Sequence, residues 1–117
     1  MRHIESRIQV SCVSWFRLQY PKMARLLFAV PNGGMRGKVE ASIMKAEGVV
    51  AGVADLLLLV PTSAHHGLCI EMKTSKGRQQ ESQKAWQEAV EGQGYKYIIC
   101  RSLDEFMEQI RAYLEGI

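Results

Sequence analysis

Leu56-Leu57-Leu58-Leu59-Val60, the polar residues 61–67, and then Leu68-Cys69-Ile70-Glu71-Met72-Lys73 form the stretch that decides the fold. The first run lies between Gly52 and Pro61, too short for a typical helix, and reads as a buried strand. The second alternates. Leu68, Ile70 and Met72 fall on one face, and Cys69, Glu71 and Lys73 on the other. The connection at 61–67 is short enough to make the pair an antiparallel hairpin. Its register brings Asp55, at the start of one strand, beside Glu71 and Lys73 at the end of the other.

Working outward, residues 3–19 carry Ile4, Ile8, Cys12, Trp15 and Leu18 near the helical period, and Pro21 ends the pattern. Leu26 to Val30 reads as a short strand stopped by Pro31. Asn32-Gly33-Gly34 follows as a loop tolerant of positive φ. Lys38 to Glu47 reads as a helix closed by Gly48. Arg78 to Glu91 reads as another, with Gln79, Gln83, Trp86 and Val90 on one face. Tyr95 to Cys100 is a further strand. Ser102-Leu103-Asp104-Glu105 is a capping box opening a last helix, whose stripe is Leu103, Phe106, Met107, Ile110 and Leu114. The order α-β-α-β-β-α-β-α predicts an α/β fold, with a mixed sheet of about four strands flanked by helices. At 117 residues the chain is expected to form a single domain over 1–117.

Composition bounds the function. With 47% hydrophobic and 23% charged residues, an ordered globular fold is expected. The longest apolar run, Val49 to Val60, is interrupted by Gly52 and Asp55 and falls short of the ~18–20 residues of a membrane span. The first residues, Met1-Arg2-His3-Ile4-Glu5, do not resemble a secretory signal. Cys12, Cys69 and Cys100 form no close pair, which disfavours a disulfide framework or a zinc site and points to a reducing, cytoplasmic setting. Charge is uneven: residues 1–45 hold eight Lys/Arg against two acids, and the rest seven against ten. A basic half is compatible with a polyanion, with nucleic acid the first candidate.

Asp55 opens the most hydrophobic strand, and Glu71 and Lys73 share a face of the next. The plain reading is a solvated outer face carrying a Glu–Lys pair of little energetic worth. The hairpin argues otherwise. Two carboxylates converging at one sheet end repel each other unless a cation joins them, and hard oxygen donors select Mg²⁺ or Mn²⁺. A lysine ammonium beside them can orient a water or balance charge building on a phosphate. These are the parts that phosphodiester hydrolysis needs. His65-His66 reads as solvated turn residues, and Cys69 as packing. Asn32-Gly33-Gly34-Met35-Arg36-Gly37-Lys38 offers backbone N–H groups and two cations ahead of a helix. Asn32, Gly33, Arg36 and Lys38 are therefore candidate phosphate-backbone contacts, and Lys76, Arg78 and Lys84 can extend the basic rim. The GxxxxGK[ST] spacing of a P-loop is absent.

Gly52-Val53-Ala54-Asp55 followed by Glu71-Met72-Lys73 resembles the PD-(D/E)XK nuclease signature. The wider pattern resembles its VRR-NUC branch, the virus-type replication-repair nuclease domain: Glu5 in the first helix, Pro31-Asn32-Gly33-Gly34, Gly48 and Gly52, and Gln83 after Lys73. The resemblance spans Glu5 to about Cys100. Ala54 stands where the family pattern has proline. The resemblance implies a restriction-endonuclease-like core, with Mg²⁺ or Mn²⁺ held by Asp55, Glu71 and the backbone carbonyl of Met72. It implies that Glu5 joins directly or through water, that Lys73 serves the attacking water, and that Gln83 acts near the metal water or the phosphate. Gln79 reads better as a boundary glutamine bonded to backbone. The resulting expectation is a metal-dependent, structure-specific DNA endonuclease acting on branched DNA such as four-way junctions. The alternative is a catalytically silent DNA-binding module. A homodimer is also expected, with Trp15, Phe16, Leu18 and Tyr20 as its candidate surface.

Overall fold

β3 (Leu68–Met72) is buried along its whole length and forms the middle of a four-stranded sheet. The computed structural model describes residues 2–31 and 37–117. β1 (Leu27–Ala29), β2 (Leu56–Leu58), β3 and β4 (Lys96–Cys100) lie in that order. β1–β2 and β2–β3 pair antiparallel, and β3–β4 pair parallel. The sheet is thus mixed, as the element order predicts.

One face of the sheet carries Leu56, Leu58, Leu68, Ile70, Met72, Ile98 and Cys100. Against it pack Cys12 and Phe16 of α1 (Arg2–Gln19) with Phe106, Ile110 and Tyr113 of α4 (Leu103–Leu114). Burying each large apolar side chain of this kind stabilises the fold by roughly 1.5–3 kcal/mol before entropy is counted. The other face carries Cys69 and Tyr97 and is covered by Trp86 and Val90 of α3 (Glu81–Gly92). This cover is why β3 has no wet face. The plain alternative, a solvated Glu–Lys face, does not hold: Glu71 is 2% exposed and Lys73 9%.

The first helix differs from its expected stripe. Ile8, Cys12 and Phe16 follow one another at i, i+4, and Tyr20 continues the line onto the core. Leu18, roughly 200° round the helix from Phe16, is 84% exposed. Trp15 lies edge-on to Tyr20 and to Phe106, with centroids 5.8 and 6.1 Å away, and Arg111 stacks over it at 5.4 Å. Three of the four residues expected to form a dimer surface are therefore seam packing between α1 and α4. They do not form the exposed surface expected of a dimer interface.

Boundaries also shift. Pro21 opens a 3₁₀ helix, Pro21–Leu26, before β1 begins. α2 (Lys38–Ala46) is closed by Gly48 at φ 106° and buries no residue. α3 starts at Glu81 rather than Arg78, because Gln80 caps it: the Gln80 side chain and the Gln83 side chain satisfy each other's backbone N–H groups. At α4, Ser102 Oγ accepts from Glu105 N at 3.1 Å, but the Glu105 carboxylate takes the Arg101 N–H at 2.6 Å.

Candidate functional site

The β2–β3 register pairs Leu56 with Ile70, so one step further Asp55 faces Glu71. Asp55 Oδ2 accepts the Met72 N–H at 2.7 Å, and the Asp55 carbonyl accepts the Val30 N–H at 2.9 Å. These bonds tie the residue between the end of β1 and the end of β3. Ala54, in place of the family proline, is fully buried, and Gly52 behind it adopts φ 88°. A Cβ on Gly52 would collide with the Ser82 carbonyl. Only glycine lets this loop seat on the first turn of α3. The approach to Asp55 is thereby held by contact rather than by a proline ring.

The Asp55 and Glu71 carboxyls lie within hydrogen-bonding reach of each other. Burial first, then the Asp55 charge, pushes the Glu71 carboxyl up to about 8, against smaller opposing effects of Lys73 and Tyr97. Both Glu71 oxygens have donors. Gln83 Nε2 donates to Oε2 at 2.7 Å, and the Tyr97 hydroxyl to Oε1 at 3.3 Å. The amide of Gln83 is oriented by the helix cap, since its Oε1 accepts the Gln80 N–H at 2.8 Å. Gln83 thus meets the carboxylate itself.

Lys73 follows β3, and its N–H donates to the Cys100 carbonyl at 3.0 Å. Gly77 lies over its stem, where an added Cβ would come within 3.3 Å of Lys73 Cδ. Lys84–Glu81, at 3.8 Å, is the one ion pair among the described residues. The ammonium of Lys73 is therefore not committed to Glu71. Glu5, on the first turns of α1, is half-buried. Burial, then Asp55, raises its carboxyl and Lys73 lowers it, so it faces the same group of charges.

The donor set suits a hydrated divalent cation. Asp55 and Glu71 supply adjacent hard oxygens whose mutual repulsion a cation relieves. In a strand the N–H and C=O of one residue point to the same side, so the Met72 carbonyl faces the flank from which its N–H reaches Asp55. Among the described residues no three His, Cys, Asp or Glu side chains gather closely enough to hold a metal. The compact set is two carboxylates and a carbonyl, with Glu5 outside it.

Of the candidate DNA contacts, Lys38 at the start of α2, Lys76 and Arg78 are exposed, while Asn32, Gly33 and Arg36 lie outside the described residues. His65 and His66 sit at the far end of the hairpin, each against a different tyrosine, Tyr113 and Tyr95. Gln79 precedes α3 and bonds side chains rather than backbone: its Nε2 donates to Gln87 Oε1 at 2.7 Å and to the Tyr97 hydroxyl at 3.3 Å. Sequence reasoning missed Tyr97 and Arg101. Arg101 Nη1 donates to the carbonyls of Thr74 and Gly77, both at 2.7 Å, and so fixes the turn carrying Lys76. The available signal was a phenol and a guanidinium on either side of the apolar Ile98-Ile99-Cys100.

The model of the VRR-NUC domain family matches residues 3–104. A solved structure described as a VRR_NUC domain protein superposes with a TM-score of 0.84, at 26% identity, covering 96% of this chain and 88% of that one. No curated protein sequence matches significantly. No described helix is long and apolar enough to cross a membrane. With the family model spanning most of the chain and the fold shared, this chain belongs to the VRR-NUC domain family, a nuclease-type domain.

Proposed function

We propose that this chain is a metal-dependent endonuclease that hydrolyses DNA phosphodiesters in branched substrates such as four-way junctions. The observation that carries the reading is the contact between two carboxyls, the buried Glu71 and the half-buried Asp55, at one end of the sheet beside the buried Lys73, which joins no ion pair among the described residues. Holding a buried carboxyl against a second one is costly, because neither can then ionise freely, unless a cation at the site repays it. A silent DNA-binding module has no such need.

In this reading Asp55, Glu71 and the Met72 carbonyl would hold Mg²⁺ or Mn²⁺, with Glu5 reaching it through water. The ion would supply positive charge to the scissile phosphate when bound. Lys73 orients the attacking water and offsets charge on the phosphate as the bond breaks. Gln83 keeps the Glu71 carboxylate turned toward the ion. Lys38, Lys76 and Arg78 hold the phosphate backbone on either side, joined by Asn32, Gly33 and Arg36. A two-fold branched substrate presents paired strands to a domain with one site, and a homodimer matches that symmetry. The apolar side chains left exposed on α2, Val39 and Ile43, are now better candidates for its surface than the first helix.

Incubating the purified chain with labelled single strands, flaps and four-way junctions, each with Mg²⁺, Mn²⁺ or chelator, tests the proposal. Metal-dependent cutting of junctions above the other substrates is the expected result. Salt-sensitive binding without cutting under any metal identifies the silent module instead.

A further inference from the structure

Behind Glu71 runs a chain of side-chain hydrogen bonds that the catalytic reading does not use. It begins on the surface of α3, where Gln87 Nε2 donates to Glu91 Oε2 at 3.2 Å. An ionised carboxylate only accepts, so Glu91 fixes which end of the Gln87 amide faces outward. Gln87 must then turn its oxygen inward, and it accepts from Gln79 Nε2 at 2.7 Å. The same nitrogen donates to the Tyr97 hydroxyl at 3.3 Å. With its oxygen accepting from Gln79, Tyr97 has its own proton free for Glu71 Oε1, 3.3 Å away. Each bond settles the direction of the next, and the polarity set by Glu91 arrives at Glu71.

We propose that Tyr97, oriented by the Gln79–Gln87–Glu91 relay, is a positioning residue that holds Glu71 in its metal-binding orientation. The inference rests on the proposed metal site. Three features support it. Tyr97 is buried among Ala54, Cys69 and Trp86, so the phenol cannot swing aside. Its two-residue offset from Glu71 follows from the parallel register, in which Tyr97 lies beside Cys69 and Glu71 beside Ile99. The other carboxylate oxygen is held by Gln83, so both oxygens of the group have a fixed donor. Two clamped oxygens leave Glu71 little freedom to rotate when a cation arrives or departs. Outer partners of metal ligands act in this way, and their loss typically weakens metal binding by ~10–100-fold.

The test is calorimetric titration of Mn²⁺ into the full chain without DNA, with thermal melting of the metal-free protein in parallel. Tyr97→Phe removes one hydroxyl and keeps the ring. It is expected to weaken Mn²⁺ binding about 10-fold or more and to raise by a like factor the Mn²⁺ needed for half-maximal cleavage, with cleavage recovering at saturating Mn²⁺. Gln79→Leu leaves Tyr97 unoriented and is expected to weaken Mn²⁺ binding in the same direction. Val90→Ala thins the packing over the same face without touching Glu71, and should lower the melting temperature while leaving Mn²⁺ affinity unchanged. Wild-type affinity in Tyr97→Phe overturns the inference and leaves the metal site standing. Equal losses of affinity in Tyr97→Phe and Val90→Ala overturn it as well, since packing alone then explains both. A wild-type chain that binds no Mn²⁺ removes the metal site and this inference with it.

Discussion

Asp55, Glu71 and Lys73 make different predictions because their environments differ. Asp55→Ala or Glu71→Ala is expected to abolish cleavage and leave DNA affinity unchanged or higher, since an acidic group near the phosphates is lost. Lys73→Met should spare metal binding and slow cleavage by ~100-fold or more, the scale of one positioned electrostatic or proton-transfer group. Near-normal rates would leave Lys73 a structural residue. Glu71 also predicts a pH dependence. In the metal-free fold it keeps its proton up to about pH 8, against 4.5 for the ordinary carboxyl. Between those values the native state binds more protons than the unfolded chain, so stability falls as pH rises through the window. A lower melting temperature at pH 8.5 than at pH 5, restored by Mg²⁺, is the expected observation. A metal-free melting temperature that does not fall between them would show Glu71 to be ordinarily ionised. At this scale the three residues were legible in the sequence because each is a charge placed against an apolar strand. Tyr97 and Gln79 were not, because their partners come from β4 and α3, and no local spacing predicts which phenol a glutamine will meet.

Elements were legible where periodicity and punctuation agree. The hairpin register, the mixed sheet and the helix closed by Gly48 all follow from apolar patterning and turn residues. The burial of both faces of β3 did not follow. Whether an alternating strand has a wet face depends on what is laid over it, and here α3 is laid over it by the Gly52–Ser82 contact. That contact predicts the most sensitive position outside the charged set. Gly52→Ala combines an unfavourable positive φ with a Cβ driven into the backbone of α3, and should destabilise the fold by at least about 2 kcal/mol. Because the displaced turn carries Gln83, Mn²⁺ affinity should fall together with the melting temperature. Unchanged melting would mean that the loop and the helix separate at no cost.

For the whole molecule the governing quantity is charge distribution. A net charge of +3 understates the basic character of residues 1–45; the exposed Lys76 and Arg78 lie in the connection from Lys73 to α3, and the exposed Lys38 opens α2. DNA affinity should therefore fall steeply with salt, and Lys76→Ala should reduce the log–log salt slope by about 1, as expected for one phosphate contact. An unchanged slope would place Lys76 off the DNA. The expected dimer was argued from aromatic residues that a single helical stripe did not explain. The structure accounts for them through α4, a partner more than eighty residues beyond the end of the first helix. The measurement that bears most directly on the central claim follows cleavage and binding of one labelled four-way junction by the wild type and Glu71→Ala, with Mg²⁺. The site described here predicts that both bind and that only the wild type cuts. Equal cutting by the two, or none by either despite binding, would contradict it.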